Sequence, residues 1–332
     1  MKEARFFQKG EAREVQCGLC PHHCRLDEGK TGVCRVRKNI GGTLYALTYG
    51  KVTSIALDPV EKKPLYHFYP GRDILSVGSV GCNFRCPFCQ NWHISQMGPE
   101  EYPLHDVTPE ALLHLAEEKA SLGISFTYNE PFIWWEFVYD VAVLFRDRGL
   151  KNVLVTNGYV EREPLRELLP FIDAMNIDLK AFDEDFYRRY CRAHLAPVLA
   201  TIEQALEAGV HVELTHLVVT GLNDDLEKFR NLVDWVATLS PLIPLHISRY
   251  FPAYKLLHPP TSIAFLERAF QIAREKLPFV YLGNVWDEAK NSTFCPSCGS
   301  VVVVRRGYSV QVVGLDGSRC RFCGNDLPFV LS

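Results

Sequence analysis

The sequence predicts an α/β protein: a partial (β/α)6, TIM-like barrel with a four-cysteine extension before it and a small four-cysteine lobe after it. Three observations carry this reading. From Ile74 to about Gly283, short apolar runs alternate with amphipathic stretches, the pattern of parallel βαβ units. Of twelve cysteines, all but Cys191 fall in three groups, one ahead of that region, one at its start and one behind it. The chain of 332 residues is 47% hydrophobic, enough to bury one large core with appendages. The expected divisions are 1–70, 71–285 and 286–332.

The first group is Cys17, Cys20, Cys24 and Cys34 in CGLCPHHCRLDEGKTGVC. Four cysteines with glycines between them suit a tetrathiolate knuckle, holding either zinc or a second iron-sulfur cluster, with His22 and His23 as substitute ligands. TLYALTYGKVTSIAL, residues 43–57, reads as a hairpin with Gly50 near its centre. DPVEKKPLYHFYPG, with three prolines, reads as an irregular connector whose Glu61, Lys62 and Lys63 form a solvated turn or reach the mouth of the site.

Barrel strands are expected at 74–80, 124–127, 153–156, 174–178, 210–219 and 245–248. Thr108-Pro109-Glu110 starts a helix: a hydroxyl cap, proline in the first turn and an acid facing the helix dipole. Leu112, Leu115, Ala116 and Ala120 then line one face, and Leu266, Ala269, Phe270, Ala273 and Leu277 repeat the arrangement in the last helix. In such an array the chemistry sits at the C-terminal ends of the strands. There the sequence places Tyr128-Asn129-Glu130-Pro131, Asn157-Gly158, Asp178-Leu179-Lys180, Thr215-His216 and His246.

The first strand runs into GCNFRCPFCQNWH, where Cys82, Cys86 and Cys89 are separated by three and then two residues. Three thiolates so close can hold one face of an iron-sulfur cube and leave its fourth iron open to a ligand. A zinc site completed by His93, or a disulfide, are the alternatives on spacing alone. The third group, Cys295 and Cys298 in CPSCG with Cys320 and Cys323 in CRFCG, is a rubredoxin-like or zinc-ribbon pattern that takes zinc or a single iron. Cys191 reads as a small buried residue.

Composition narrows the partners. With 36 basic and 39 acidic residues the net charge is −3, so nothing draws the whole chain to nucleic acid or an anionic membrane. Arg305, Arg306, Arg319 and Arg321 in the last lobe read as a solvated face rather than a nucleic-acid patch. No stretch is long and apolar enough to span a bilayer, and the first residues lack a signal-peptide core, so a cytoplasmic location with no membrane partner is expected. In that compartment clustered cysteines are metal ligands before they are disulfides.

CNFRCPFC resembles the Cys-x3-Cys-x-aromatic-Cys signature of radical S-adenosylmethionine (radical SAM) enzymes, with Phe88 at the aromatic position. The chain also resembles pyruvate formate-lyase activating enzymes. Over nearly its whole length it is similar to the AmmeMemoRadiSam system radical SAM enzymes, through CGLCPHHC, GKTGVC, DPVEKKPLYHFYPG, GCNFRCPFCQNW, YNEP, TNGY, NIDLKAF, TGLND and HISRYFPAY. The resemblance implies that Cys82, Cys86 and Cys89 ligate a [4Fe-4S] cluster whose open iron is chelated by SAM. It implies reductive cleavage of that cofactor to a 5'-deoxyadenosyl radical, which abstracts hydrogen.

By the same resemblance Phe88 lies in the cofactor site and Glu130 accepts the amino group of the methionyl moiety. Asp178 and Lys180 bind its polar groups, Asn157 approaches the cofactor and His246 lies near the adenosyl part. An external reductant such as flavodoxin or ferredoxin is implied, and activase-like ancestry implies a protein or peptide substrate. A small-molecule substrate, with the outer iron sites as electron relays, is the alternative, and a non-catalytic zinc protein the remote one. YNEP stands where two glycines usually precede the glutamate, and Thr220 where a proline is common. Thr215 stands where an activase of pyruvate formate-lyase carries arginine, so chemistry transfers better than substrate. Both terminal lobes are expected to cover the mouth.

Overall fold

A computed structural model describes residues 1–331. Its centre is an eight-stranded sheet: β1 (Ser54–Pro59), β2 (Asp73–Gly78), β3 (Gly123–Phe126), β4 (Lys151–Thr156), β5 (Ala174–Asp178), β6 (His211–Val218), β7 (Leu245–Arg249) and β8 (Val280–Gly283). The strands lie side by side in sequence order, β2 to β8 parallel and β1 antiparallel to β2. β1 and β8 are not paired with each other, so the barrel is open. The six expected strands are all present. β8 is a seventh parallel strand beyond them; VYLG is too short a run to announce itself.

Parallel strands are covered on both faces, and the sequence meets that need with unbroken apolar runs. Leu75, Val77, Phe126, Met175, Leu214 and Ile247 face the helix layer. That layer includes α1 (Pro109–Glu118), α2 (Trp135–Asp147), α3 (Arg162–Leu168), α4 (Leu195–Glu207), α5 (Leu226–Leu239) and α6 (Ile263–Arg274). Thr108 caps α1 as expected, its Oγ1 accepting from the Ala111 amide at 3.2 Å. The buried face of α1 is Leu112, Leu113 and Ala116; Ala120 lies past the helix end at φ +50°.

Two local expectations change. Residues 43–57 are not one hairpin. Thr43–Ala46 pairs with Arg37–Ile40 across Gly41-Gly42, Lys51–Val52 pairs with His105–Asp106, and the last part is β1. The connector after β1 is not solvated either. Val60, Leu65, Phe68 and Tyr69 plug the N-terminal end of the barrel against Ile74, Leu122, Val153 and Ala174, while Glu61 and Lys63 are buried. Four apolar side chains outweigh three charged ones because each charge finds a partner; Lys63 donates to Asp58 at 2.7 Å.

The C-terminal lobe, with strands Val301–Arg306 and Ser309–Val312, packs on this plug. Val330 bridges Phe68, and Phe279 and Tyr281 of the barrel share one apolar cluster with Val302, Val303 and Phe329. The lobe therefore closes the end of the barrel opposite the cysteine loop and does not cover the mouth. The N-terminal element does reach that loop. No helix among the described residues is long and apolar enough to cross a membrane.

Candidate active site

β2 ends at Gly78, and the chain turns through Ser79, Val80 and Gly81 into Cys82. Gly81 has φ +88°, and a Cβ there would lie 2.6 Å from the Cys34 carbonyl oxygen, so no other residue fits. Asn129, after β3, accepts from the Ser79 amide (3.1 Å) and donates to the Gly81 carbonyl (3.1 Å). Asn83, fully buried, donates to the Tyr159 carbonyl at 2.7 Å. The loop is thus pinned by residues from neighbouring strand ends, as a site requiring fixed ligands demands.

Around the three thiols the polar groups are short-range and specific. The Phe84 amide donates to Cys82 Sγ (3.3 Å) and Asn157 Nδ2 approaches the same sulfur (3.6 Å). Ser95 Oγ lies 3.2 Å from Cys89 Sγ, and Cys191 Sγ 3.8 Å from Cys86 Sγ. Burial pushes the Cys82 and Cys89 thiols up, as does the Cys191 contact for Cys86. A bound cation is what would offset that cost and hold them as thiolates. His93 does not join them; it is exposed beside Trp92 and Tyr102.

Two of the expected cofactor residues join the Cys82 side directly. Glu130 is 1% exposed, its oxygens accepting from the Phe132 amide (2.9 Å), the Thr156 hydroxyl (2.7 Å) and the Asn157 amide (2.8 Å). Burial raises its pKa to about 7 against the lowering effect of those hydrogen bonds. Among the described residues it has no cationic partner within salt-bridge reach, although buried carboxylates ordinarily take one. On the other side Lys180 Nζ donates to Asp178 Oδ2 at 2.7 Å. Burial lowers the Lys180 pKa, but the facing Asp178 carboxylate and the Cys86 thiol more than offset it and the net shift is upward.

The remaining two lie differently. Phe88 is buried with its ring against Phe186, a packing position. His246 is deeper in the barrel, its Nε2 2.7 Å from Glu213 and its ring edge-on to Tyr66. Asn83, Cys191 and the segment after β7 also meet the cysteine loop. That segment packs on the cysteine loop, with the Lys255 amide donating to the Pro87 carbonyl (2.9 Å) and Tyr254 stacked on Trp92 (5.2 Å). HISRYFPAY was the available signal for the last; nothing local marks Cys191, which a π-helical turn, Tyr187–Cys191, carries to Cys86.

The outer cysteine groups differ in geometry. Cys295, Cys298, Cys320 and Cys323 have all four Sγ atoms within 4.8 Å of one another, with pairs at 3.6 and 3.7 Å. A tetrahedral ion with bonds of about 2.3 Å sets its sulfurs about 3.8 Å apart, so these four thiols could hold a metal ion. No three thiols of the N-terminal group or of the central trio are so closely drawn together among the described residues.

A cysteine trio is thus pinned at the end of the first parallel strand of an open barrel, beside a buried carboxylate that has no cationic partner among the described residues. The chain carries a radical SAM domain: the model of the radical SAM superfamily matches residues 76–236. It is 45% identical to the uncharacterized protein MJ0808 of Methanocaldococcus jannaschii over 336 aligned residues, covering all of both chains. It is 24% identical to the pyruvate formate-lyase-activating enzyme of Clostridium pasteurianum over 175 residues, half of this chain and 72% of that one. The fold is also that of Streptococcus suis SuiB bound to S-adenosylmethionine, with a TM-score of 0.51 at 14% identity, covering 64% of this chain and 52% of SuiB. Membership supports SAM-dependent radical chemistry with a [4Fe-4S] cluster.

Proposed function

We propose that this chain is an activase-like radical SAM enzyme that abstracts hydrogen from a protein or peptide partner. The observation that carries the chemistry is the juxtaposition of Cys82, Asn157 and Glu130 in one hydrogen-bonded group. When bound, the reduced cluster and SAM supply a carbon-centred radical for hydrogen abstraction. The chain's own residues do the positioning. Glu130, held by Thr156 and by backbone amides, offers a carboxylate to an ammonium, and the Lys180–Asp178 pair offers a cation to a carboxylate. The Tyr254 segment packs on Trp92 and the N-terminal element on Gly81, which holds the loop from two sides. Similarity to activating enzymes across half of the chain supports the protein-substrate reading.

The test is anaerobic. Protein reconstituted with iron and sulfide, reduced and given SAM is expected to release 5'-deoxyadenosine, and Cys86→Ala to release none. Deuterium transferred into 5'-deoxyadenosine from a labelled peptide identifies a peptide substrate. Release from the variant at the wild-type rate would place the chemistry elsewhere.

A further inference from the structure

We propose that the π-helical turn Tyr187–Cys191 is a positioning element that fixes Lys180 in relation to the cysteine loop, with Tyr187 as its positioning residue. This rests on the reading above, in which Lys180 offers its cation to a carboxylate. Tyr187 and Cys191 are both fully buried, while Arg188 and Arg189 between them are exposed. The Arg192 amide closes the turn on the Tyr187 carbonyl, five residues back, and Arg192 ends it at φ +59°. Such a turn holds one residue more than an α-helical one and recurs at functional sites.

One side of the turn grips the cysteine loop. The Cys191 carbonyl, freed by the abrupt end of the turn, accepts from the Arg85 amide at 3.0 Å. Cys191 Sγ lies 3.8 Å from Cys86 Sγ, and the Tyr187 ring stands edge-on to Phe84 at 6.0 Å. Just ahead of the turn, Phe186 packs on Phe88 at 5.9 Å. The turn therefore meets the loop by backbone, by sulfur and by ring within a few residues of Cys86.

The other side holds Lys180, whose amide donates to the Tyr187 hydroxyl at 3.1 Å. β6 and the residues after it hold the rest of that segment. The Leu179 amide donates to the Thr215 carbonyl (2.9 Å), the Leu179 carbonyl meets His216 Nδ1 (3.0 Å), and the Lys180 carbonyl accepts from Asn223 Nδ2 (2.8 Å). Of these four hydrogen bonds only that of Tyr187 leads to the cysteine loop. Phenylalanine would fill the same space and leave the Lys180 amide unpaired. A ligand that meets both the Lys180 ammonium and the loop needs the two at matching places, and one rigid support shared by both supplies that match.

The test uses the full chain, reconstituted anaerobically with iron and sulfide, and calorimetry with two ligands: SAM, and decarboxylated SAM, which lacks the carboxyl group. Wild type should favour SAM by roughly tenfold or more, and Lys180→Met should remove most of that preference. Tyr187→Phe should keep its iron and its affinity for the decarboxylated ligand, and its preference for SAM should fall by roughly threefold or more. An unchanged preference in Tyr187→Phe, or an equal loss of affinity for both ligands, overturns the proposal. An unchanged preference in Lys180→Met instead overturns the carboxylate role given to Lys180 under the proposed function, and the proposal falls with it. Hydrogen exchange in the wild type covers the case in which Tyr187→Phe does not hold iron. SAM, and not its decarboxylated form, should slow exchange over residues 178–182 and 186–192 together; slowing in neither segment, or in one alone, overturns the coupling.

Discussion

At the scale of single residues, Glu130 and Cys191 give the sharpest expectations. Glu130 is a buried acid with a pKa raised to about 7, so the folded protein holds a proton between the ordinary 4.5 and that value. Stability from this group falls as pH rises through the window and is flat above it. An ammonium ligand needs the ionised form, so affinity for SAM should rise from about pH 6 to 8, measured by calorimetry. Glu130→Gln should bind roughly tenfold or more weakly, as for a lost charge-assisted hydrogen bond, and lose the pH dependence. A pH profile shared by wild type and variant would assign the ammonium to another group.

Cys191 sits 3.8 Å from the sulfur of a cluster ligand. That is too close for it to bind another corner of the same cube; the Cys86 thiol donates to Cys191, and a Cys86 held as a cluster thiolate would instead accept a weak S–H bond from it. Cys191→Ala should leave the central iron content unchanged and make the cluster harder to reduce. A hydrogen bond of about 1 kcal/mol corresponds to roughly 40 mV in a redox titration. Loss of one iron in this variant would make Cys191 a ligand instead.

At the scale of elements, the N-terminal extension is locked to α2 by a buried ion pair. Arg37 donates to Glu136 through both terminal nitrogens, at 2.9 and 2.7 Å, and the Arg5 amide shares the same carboxylate. Arg37→Ala strands a buried carboxylate and should cost about 3–5 kcal/mol in denaturant unfolding, with early proteolysis in the first fifty or so residues. Arg37→Met/Glu136→Leu should recover most of that loss, because it removes both charges together. A single-variant cost no larger than for an exposed pair such as Lys2–Asp140 would contradict the lock.

Elements also show what was readable. α1 begins where Thr108-Pro109-Glu110 says it must, because capping is a contract between residues three apart. The stretch 43–57 misled because its alternating pattern states that strands exist and not which partners they take.

At the scale of the whole molecule, the barrel interior and the C-terminal lobe form one polar network around the plug. Glu213 accepts from the His67 amide (2.7 Å) and meets His211 and His246; His67 Nε2 meets Tyr281 (2.6 Å), and Tyr281 meets Thr293, which Arg305 of the lobe bonds at 2.8 Å. Burial drives the His67 pKa down from 6.5 to about 3. An unfolded chain takes up that proton below about pH 6.5 and the folded one does not, so stability falls as pH drops through this range, by up to about 1.4 kcal/mol per pH unit. Burial raises the Glu213 pKa, but its histidine hydrogen bonds more than offset this, so its contribution also fades in acid. Denaturant midpoints taken from about pH 7 to 4 should decline, and His67→Phe, which keeps the stack on Phe329, should flatten the slope. Equal slopes would move the acid sensitivity to another group.

By itself the sequence determined the parallel barrel and the C-terminal four-cysteine group, and it pointed to the central trio. Those rest on periodicity and on spacings within a single loop, which are local quantities. Tertiary structure decided what depends on distances between segments remote in sequence. It carried Cys191 to Cys86, buried Glu61 and Lys63 in the plug and sent the C-terminal lobe to the closed end of the barrel. It also drew the four C-terminal thiols within 4.8 Å of one another, since the reach between sulfurs is set by how the backbone around them packs and not by how many residues lie between.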